Sequence, residues 1–114
     1  MPKKKKLTFS DVQEALRKRQ PQWGGEDPGL EFRLIELGGE TGECLEVGKK
    51  YLRTLKKMKG GIKKGEAMRR FGEEISDVIL SAALLANQLN LDLDAWVKQK
   101  FNETSKKHGL KQKI

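Results

Sequence analysis

The stretch EEISDVILSAALLANQL, residues 73–89, decides the fold class. From Val78 to Ala86 it is apolar nearly all round. A helix of that kind must be covered on more than one side, so it belongs at the centre of a helical assembly. Its main stripe is Phe71, Ile75, Val78, Ala82, Leu85 and Leu89, at helical spacing. Two acids break the pattern. At about 100° per residue, Glu74 and Asp77 fall between Leu85 and Leu84, with Glu73 near the same sector.

The preceding segment shows the same anomaly. Residues 30–59 keep helical spacing, with a stripe of Leu30, Leu37, Cys44, Tyr51 and Leu55. Glu40 lies inside the edge of that stripe beside Val47 and Met58. Glu36 and Glu43 flank it, and Glu46 points further round toward solvent. Glycines at 38, 39, 42 and 48 interrupt this helix, each costing roughly 1 kcal/mol relative to alanine. Their expected use is to let a neighbouring helix or a ligand approach the backbone closely.

Working outward, Ser10 is placed to cap a first helix, with Gln13 as capping-box partner. That helix runs to about Gln20, where Pro21 ends it. PQWGGEDPG, residues 21–29, is a loop by composition, and GGIKKG, residues 60–65, separates the two long helices. The third helix is expected over 66–90. Asp92 caps a fourth helix containing LDAWVKQKFNE, and a polar, frayed tail follows from Lys106. No segment alternates apolar and polar residues, so no strand is expected. The reading is an all-α, four-helix-bundle-type domain over 10–105 that oligomerises through its helices, with a basic tail at 1–9 and a polar basic tail at 106–114.

Charge and composition exclude several function classes. The net charge is +8, and Lys3 to Lys6 supply half of the excess. Basic ends around acidic clusters suit either nucleic acid or a small polyanion such as a triphosphate, unless they are simply solvated tails. There is no apolar run near the 18 residues of a membrane span, and no apolar segment follows the lysines as in a secretory leader. One cysteine, Cys44, makes no internal disulfide, so a reducing cytoplasm is the expected compartment. A single histidine, His108, gives no support to a zinc site, and there is no GxxxxGK[ST] phosphate loop.

The acids carry the chemistry. Two helices each set a carboxylate pair against apolar neighbours, Glu40 and Glu43 on one, Glu74 and Asp77 on the other. A short glycine loop favours antiparallel packing, which brings the pairs level. Lys49, Lys50, Lys56 and Lys57 lie mostly on other faces, so a hard divalent cation is the better counter-charge for four clustered carboxylates. Mg²⁺ takes oxygen ligands and keeps water and substrate phosphates in its shell, with Mn²⁺ as a possible substitute.

GETGE, residues 39–43, followed by EEISDV, residues 73–78, resembles the signature of the MazG-like all-α nucleoside triphosphate pyrophosphohydrolases. Their pattern is EExxE, a spacer, then ExxD. Glu40 and Glu43 match ExxE, and Glu74 and Asp77 match ExxD. Gly39 stands where the family has the first glutamate of its doublet, with Glu36 one turn back, and the spacer is slightly long. The segment 89–110 is also similar to the family's last helix and its Lys/Asn/Lys tail. The resemblance implies Mg²⁺-dependent cleavage of a nucleoside triphosphate between the α- and β-phosphates, giving a nucleoside monophosphate and pyrophosphate. It implies the four carboxylates as metal ligands, Glu73 as a candidate general base, and Lys100, Asn102 and Lys106 as phosphate contacts. Trp23 in the 21–29 loop becomes a candidate for stacking on the base, with a loop anchor as its alternative role. Family sites are often built from two subunits, so a homodimer or homotetramer is implied.

Two other readings stay open on the sequence. One is a helical nucleic-acid-binding or interaction module whose acids are structural. The other is a non-catalytic relative that binds a nucleotide without turnover. Nucleic acid is not the expected partner, and no membrane is. Trp96 and Phe101 share a face and read as core.

Overall fold

The computed structural model describes residues 5–114, which form four α-helices and one 3-10 turn. Helix α1 is Phe9–Arg19, the 3-10 turn Gln20–Trp23, α2 Gly29–Leu55, α3 Lys64–Gln88 and α4 Leu93–Lys107. The described residues contain no strand, and none of their helices is long and apolar enough to cross a membrane. Lys3 and Lys4 of the basic run lie outside the described residues. Lys5 pairs with Asp11 at 3.5 Å.

The start of α1 departs from expectation in an informative way. Thr8, not Ser10, is the cap. Its hydroxyl accepts the Asp11 N–H at 3.0 Å, and the Asp11 carboxylate accepts the Thr8 N–H at 3.0 Å, closing a capping box. Ser10 and Gln13 are engaged elsewhere. The Asp94 carboxylate, from the first turn of α4, accepts the Ser10 hydroxyl at 2.6 Å and the Phe9 and Ser10 amides at 3.0 and 3.2 Å. The Ser10 hydroxyl bond, then the backbone amides, hold the Asp94 carboxyl below its usual range. Gln13 is buried. Its Nε2 donates to Asn87 Oδ1 at 3.0 Å and to the Leu91 carbonyl at 2.7 Å, and its Oε1 accepts the Leu93 N–H at 3.1 Å. One side chain thus ties α1 to the turn between α3 and α4.

Helices α2 and α3 make the principal contact as an antiparallel hairpin. Helix α2 ends at Leu55, earlier than the expected residue 59, because the chain turns left-handed at Lys57 (φ 56°) and Gly60 (φ 83°). The Thr54 hydroxyl then donates to the Ile62 carbonyl at 2.5 Å. A Cβ on Gly61 would stand 2.7 Å from the Thr54 nitrogen, so only glycine fits that crossing. The glycines of α2 behave otherwise. A Cβ on Gly38, Gly39 or Gly42 would meet nothing within 4 Å, so no other helix of the described residues approaches them. Gly48 alone faces a neighbour, Phe71.

Both long helices are rotated from their expected stripes. The inward face of α2 runs through Arg33, Glu36, Leu37, Glu40, Cys44, Val47 and Tyr51, while Leu30 and Leu55 are exposed. On α3 the buried residues are small: Ala67, Ser81, Ala83 and Ala86. Small residues permit close packing, and the larger Ile75 and Leu89 are left about half exposed. The tail is ordered rather than frayed. Helix α4 continues through Lys106 to Lys107, and the Ile114 backbone closes on both ends of the Asn102 amide at 3.0 and 3.1 Å.

Gln13→Leu removes three hydrogen bonds and strands buried partners. A loss of roughly 2 kcal/mol or more is expected, seen as a fall of about 8 °C or more in Tm by thermal melt. An unchanged Tm would show that the Gln13 network does not hold α1 in place. Because the Asp94 pKa is depressed, its share of stability is present above the unfolded carboxyl value of 3.8 and is lost as pH falls through the folded value.

Candidate metal centre

The hairpin brings α2 and α3 acids to one point. Glu40, Glu74 and Asp77 each offer a carboxylate oxygen within 4.8 Å of the others, a spacing that suits shared ligation of one cation. Glu43, one turn along α2 from Glu40, is more exposed, but its charge reaches both glutamates. Three of the four acids expected as ligands are therefore brought together, and Glu43 lies outside that group.

The electrostatics are unfavourable as they stand. Oε2 of Glu40 and Oε2 of Glu74 are buried with no hydrogen-bond partner. Among the described residues, no lysine or arginine forms an ion pair with any of the four acids. Burial first, then the charges of Glu43 and Asp77, raise the carboxyl of Glu40 above its ordinary range. Burial, Glu43 and Asp77, in the same order, raise Glu74. Buried carboxylate oxygens are normally satisfied, and these two find no partner within the described residues.

The other expected site residues divide. Trp23 ends the 3-10 turn and lines a cavity of about 540 Å³ that also reaches Glu40 and Asp77. Arg19 stands over one side of its ring, 6.0 Å from the centroid. Glu73 is on the exposed side of α3 and bonds Arg69 at 2.8 Å, although its charge still reaches Glu74. Lys100, Asn102 and Lys106 lie on α4, which packs on α1, and none lines the cavity. The Asn102 amide is already committed to Ile114. The structure does not bring these three to the carboxylates.

Glu36 does not join the cluster. It bonds Arg33 Nη1 at 3.1 Å, and Arg33 Nη2 donates to Gln20 Oε1 at 2.9 Å. Arg33 is 5 % exposed. This trio lines the same cavity and was not singled out from sequence as a unit. The available signal was an arginine seven residues before Glu40, two turns away on the same inward face. Comparison with known protein families and with curated proteins gives no match, so the family resemblance rests on the motif residues alone.

A cation at this point has a thermodynamic signature. Mg²⁺ is expected to raise the Tm of the wild type over that in EDTA by mass action. Glu74→Gln is expected to leave the metal-free Tm unchanged or a few degrees higher, and to lose most of the Mg²⁺ increment. The pH dependence follows from the raised carboxyls. Between the unfolded value of 4.5 and the higher folded values, the folded protein holds protons that the unfolded chain has released. The contribution of Glu40 and Glu74 to stability in EDTA is therefore fully present below 4.5 and falls as pH rises through that window. The Tm advantage of Glu74→Gln should shrink toward zero as pH is lowered. A mutant strongly destabilised in EDTA would mean that Glu74 answers a basic group instead.

Proposed function

We propose that this chain is a Mg²⁺-dependent nucleoside triphosphate pyrophosphohydrolase, a hydrolase of nucleotide metabolism that releases a nucleoside monophosphate and pyrophosphate. The observation that carries the reading is the pair of buried, unpartnered oxygens on Glu40 and Glu74, facing Asp77 beside a cavity of nucleotide size. Glu40, Glu43, Glu74 and Asp77 fit a hard cation by donor type and charge. When bound, Mg²⁺ supplies neutralisation of phosphate charge and activation of the attacking water.

The chain's own residues do the positioning. The four carboxylates would hold the cation, and Trp23 offers a face for the base. Glu73, next to the cluster but not part of it, is our candidate proton acceptor for the water. Lys100, Asn102 and Lys106 would reach phosphate oxygens only from a second subunit, since α4 lies away from its own cavity. The exposed apolar residues support a homodimer or homotetramer: Ile75 and Ile79 on α3 are 49 % and 43 % exposed, and Ile35 and Leu45 on α2 are 75 % and 69 % exposed. The cytoplasm is the compartment we assign, with Cys44 a free thiol.

Incubation with a panel of NTPs and dNTPs, with and without Mg²⁺, tests the reading. Monophosphate and pyrophosphate, formed only with the metal, are the expected products. Binding without turnover would instead indicate a nucleotide sensor, and salt-sensitive binding to DNA or RNA without hydrolysis a nucleic-acid module. Trp23→Ala is expected to weaken nucleotide binding by roughly 1–3 kcal/mol, the scale of aromatic–base stacking, while leaving the Mg²⁺ shift in Tm unchanged. Light scattering at micromolar concentration should report a dimer or larger; a fully active monomer would remove the second-subunit role of α4.

A further inference from the structure

The cavity beside the carboxylates has a second polar end, and its geometry says what it can read. Arg33 and Glu40 are seven residues apart on α2, two turns on one face, so their backbones are separated by about 10 Å along the helix. That span suits a sugar and base extending away from a phosphate held at Glu40. Arg33 is a poor phosphate ligand where it stands. Its Nη1 is paired with the Glu36 carboxylate and its Nη2 with the Gln20 amide oxygen, so the charge is already answered. A neutral, hydrogen-bonding group is what the remaining valences suit.

The two bonds give the order in which the groups are linked. The guanidinium bridges Glu36 and Gln20, so the three groups run Glu36, Arg33, Gln20. Glu36 keeps a second oxygen, an acceptor. Arg33 has five N–H donors, of which two are used. Gln20 gives its Oε1 to Arg33, and the amide nitrogen, a donor, is left for a ligand. Taken in that order along the cavity lining, the free valences are acceptor, donor, donor.

We propose that Glu36, Arg33 and Gln20 form a base-reading wall that selects cytosine nucleotides. The inference rests on the nucleotide reading of the site. Cytosine presents an exocyclic amine, a ring nitrogen and a carbonyl oxygen along its pairing edge: donor, acceptor, acceptor. Adenine matches the first two positions and has a C–H at the third. Uracil and thymine place a carbonyl opposite the Glu36 oxygen and an N–H opposite Arg33. Guanine presents acceptor, donor, donor, the same pattern as the wall. Trp23, lining the same cavity, offers a stacking surface while the edge is read.

The test uses Gln20→Glu. The new carboxylate still accepts from Arg33, so the fold is kept, and its second oxygen replaces the amide donor. Wild type is expected to hydrolyse CTP or dCTP with kcat/KM about tenfold or more above the other bases, as one unmade hydrogen bond in a site of this kind demands. In Gln20→Glu the cytosine-to-adenine ratio should fall toward one, because adenine differs from cytosine where Gln20 contacts it. A wild type with no base preference, or with a preference for another base, overturns the proposal. So does a mutant in which all nucleotides lose activity in parallel, which marks Gln20 as a purely structural prop. Binding of α,β-imido analogues in Mg²⁺ separates this from the reaction itself. Cytosine-selective binding without turnover of the natural triphosphates would sustain the wall and sink the hydrolase; hydrolysis with a flat base profile would do the reverse.

Discussion

Thr54 and Gly61 touch where α2 turns back into α3, and the register of the whole hairpin follows from that contact. The turn leaves no room for a Cβ at Gly61 and is closed by the Thr54 hydroxyl on the Ile62 carbonyl. From there the two helices run antiparallel, and each step away from the turn on one helix is matched on the other. Glu43 and Glu74 lie at nearly equal chain distance from the crossing, and Glu40 and Asp77 one turn beyond. A one-residue slip would rotate a pair by about 100° and carry it off the shared face. The acid cluster is thus set by a small-residue contact roughly three to four turns away.

Within that register, the inward face of α2 holds two acids one turn apart with opposite circumstances. Glu36 has Arg33, its neighbour at i−3, and the pair is further held by Gln20. Glu40 has no such partner, because the one buried arginine on this face is already engaged on its other side. The outcome is one neutral polar group and one uncompensated anionic group along the same cavity wall. Glu40 is desolvated and must also sit beside the charges of Glu43, Asp77 and Glu74. A folded chain keeps such an arrangement at a cost to stability, which a bound cation would remove.

Much of this was legible in the sequence, and the limits are physical. Four helices, their order and the inward placement of Glu40 and Glu74, with the exposed Asp77 beside them, follow from periodicity and from a short glycine turn. The caps were less legible. Ser10 and Gln13 have the right chemistry and spacing for a capping box, as do Thr8 and Asp11, and local sequence does not choose between them. The choice is made by Asp94 and Asn87, more than seventy residues away, which draw Ser10 and Gln13 into other bonds. The helix stripes were misjudged for a similar reason. Periodicity ranks positions by apolarity, whereas the α2–α3 contact is governed by close approach, so alanines pack inside and Ile75 remains half exposed. The Arg33–Glu36–Gln20 group joins two helical elements and was invisible to a reading of each element alone.

The exposed apolar surface and the glycines of α2 belong to one argument. Gly38, Gly39 and Gly42 leave open backbone, and Ile35 and Leu45 stand beside them on the outer side of the same helix. A helix weakened by three glycines that meet nothing among the described residues has accepted a destabilisation without local return. Packing across a second copy would supply it. Small residues let two backbones come close, and the large side chains flanking them then lose water. The same association would cover Ile75 and Ile79 on α3, which flank Glu74 and Asp77 in sequence. The subunit interface and the carboxylate cluster would then share helices, so that assembly deepens the burial of the acids and strengthens their demand for a cation.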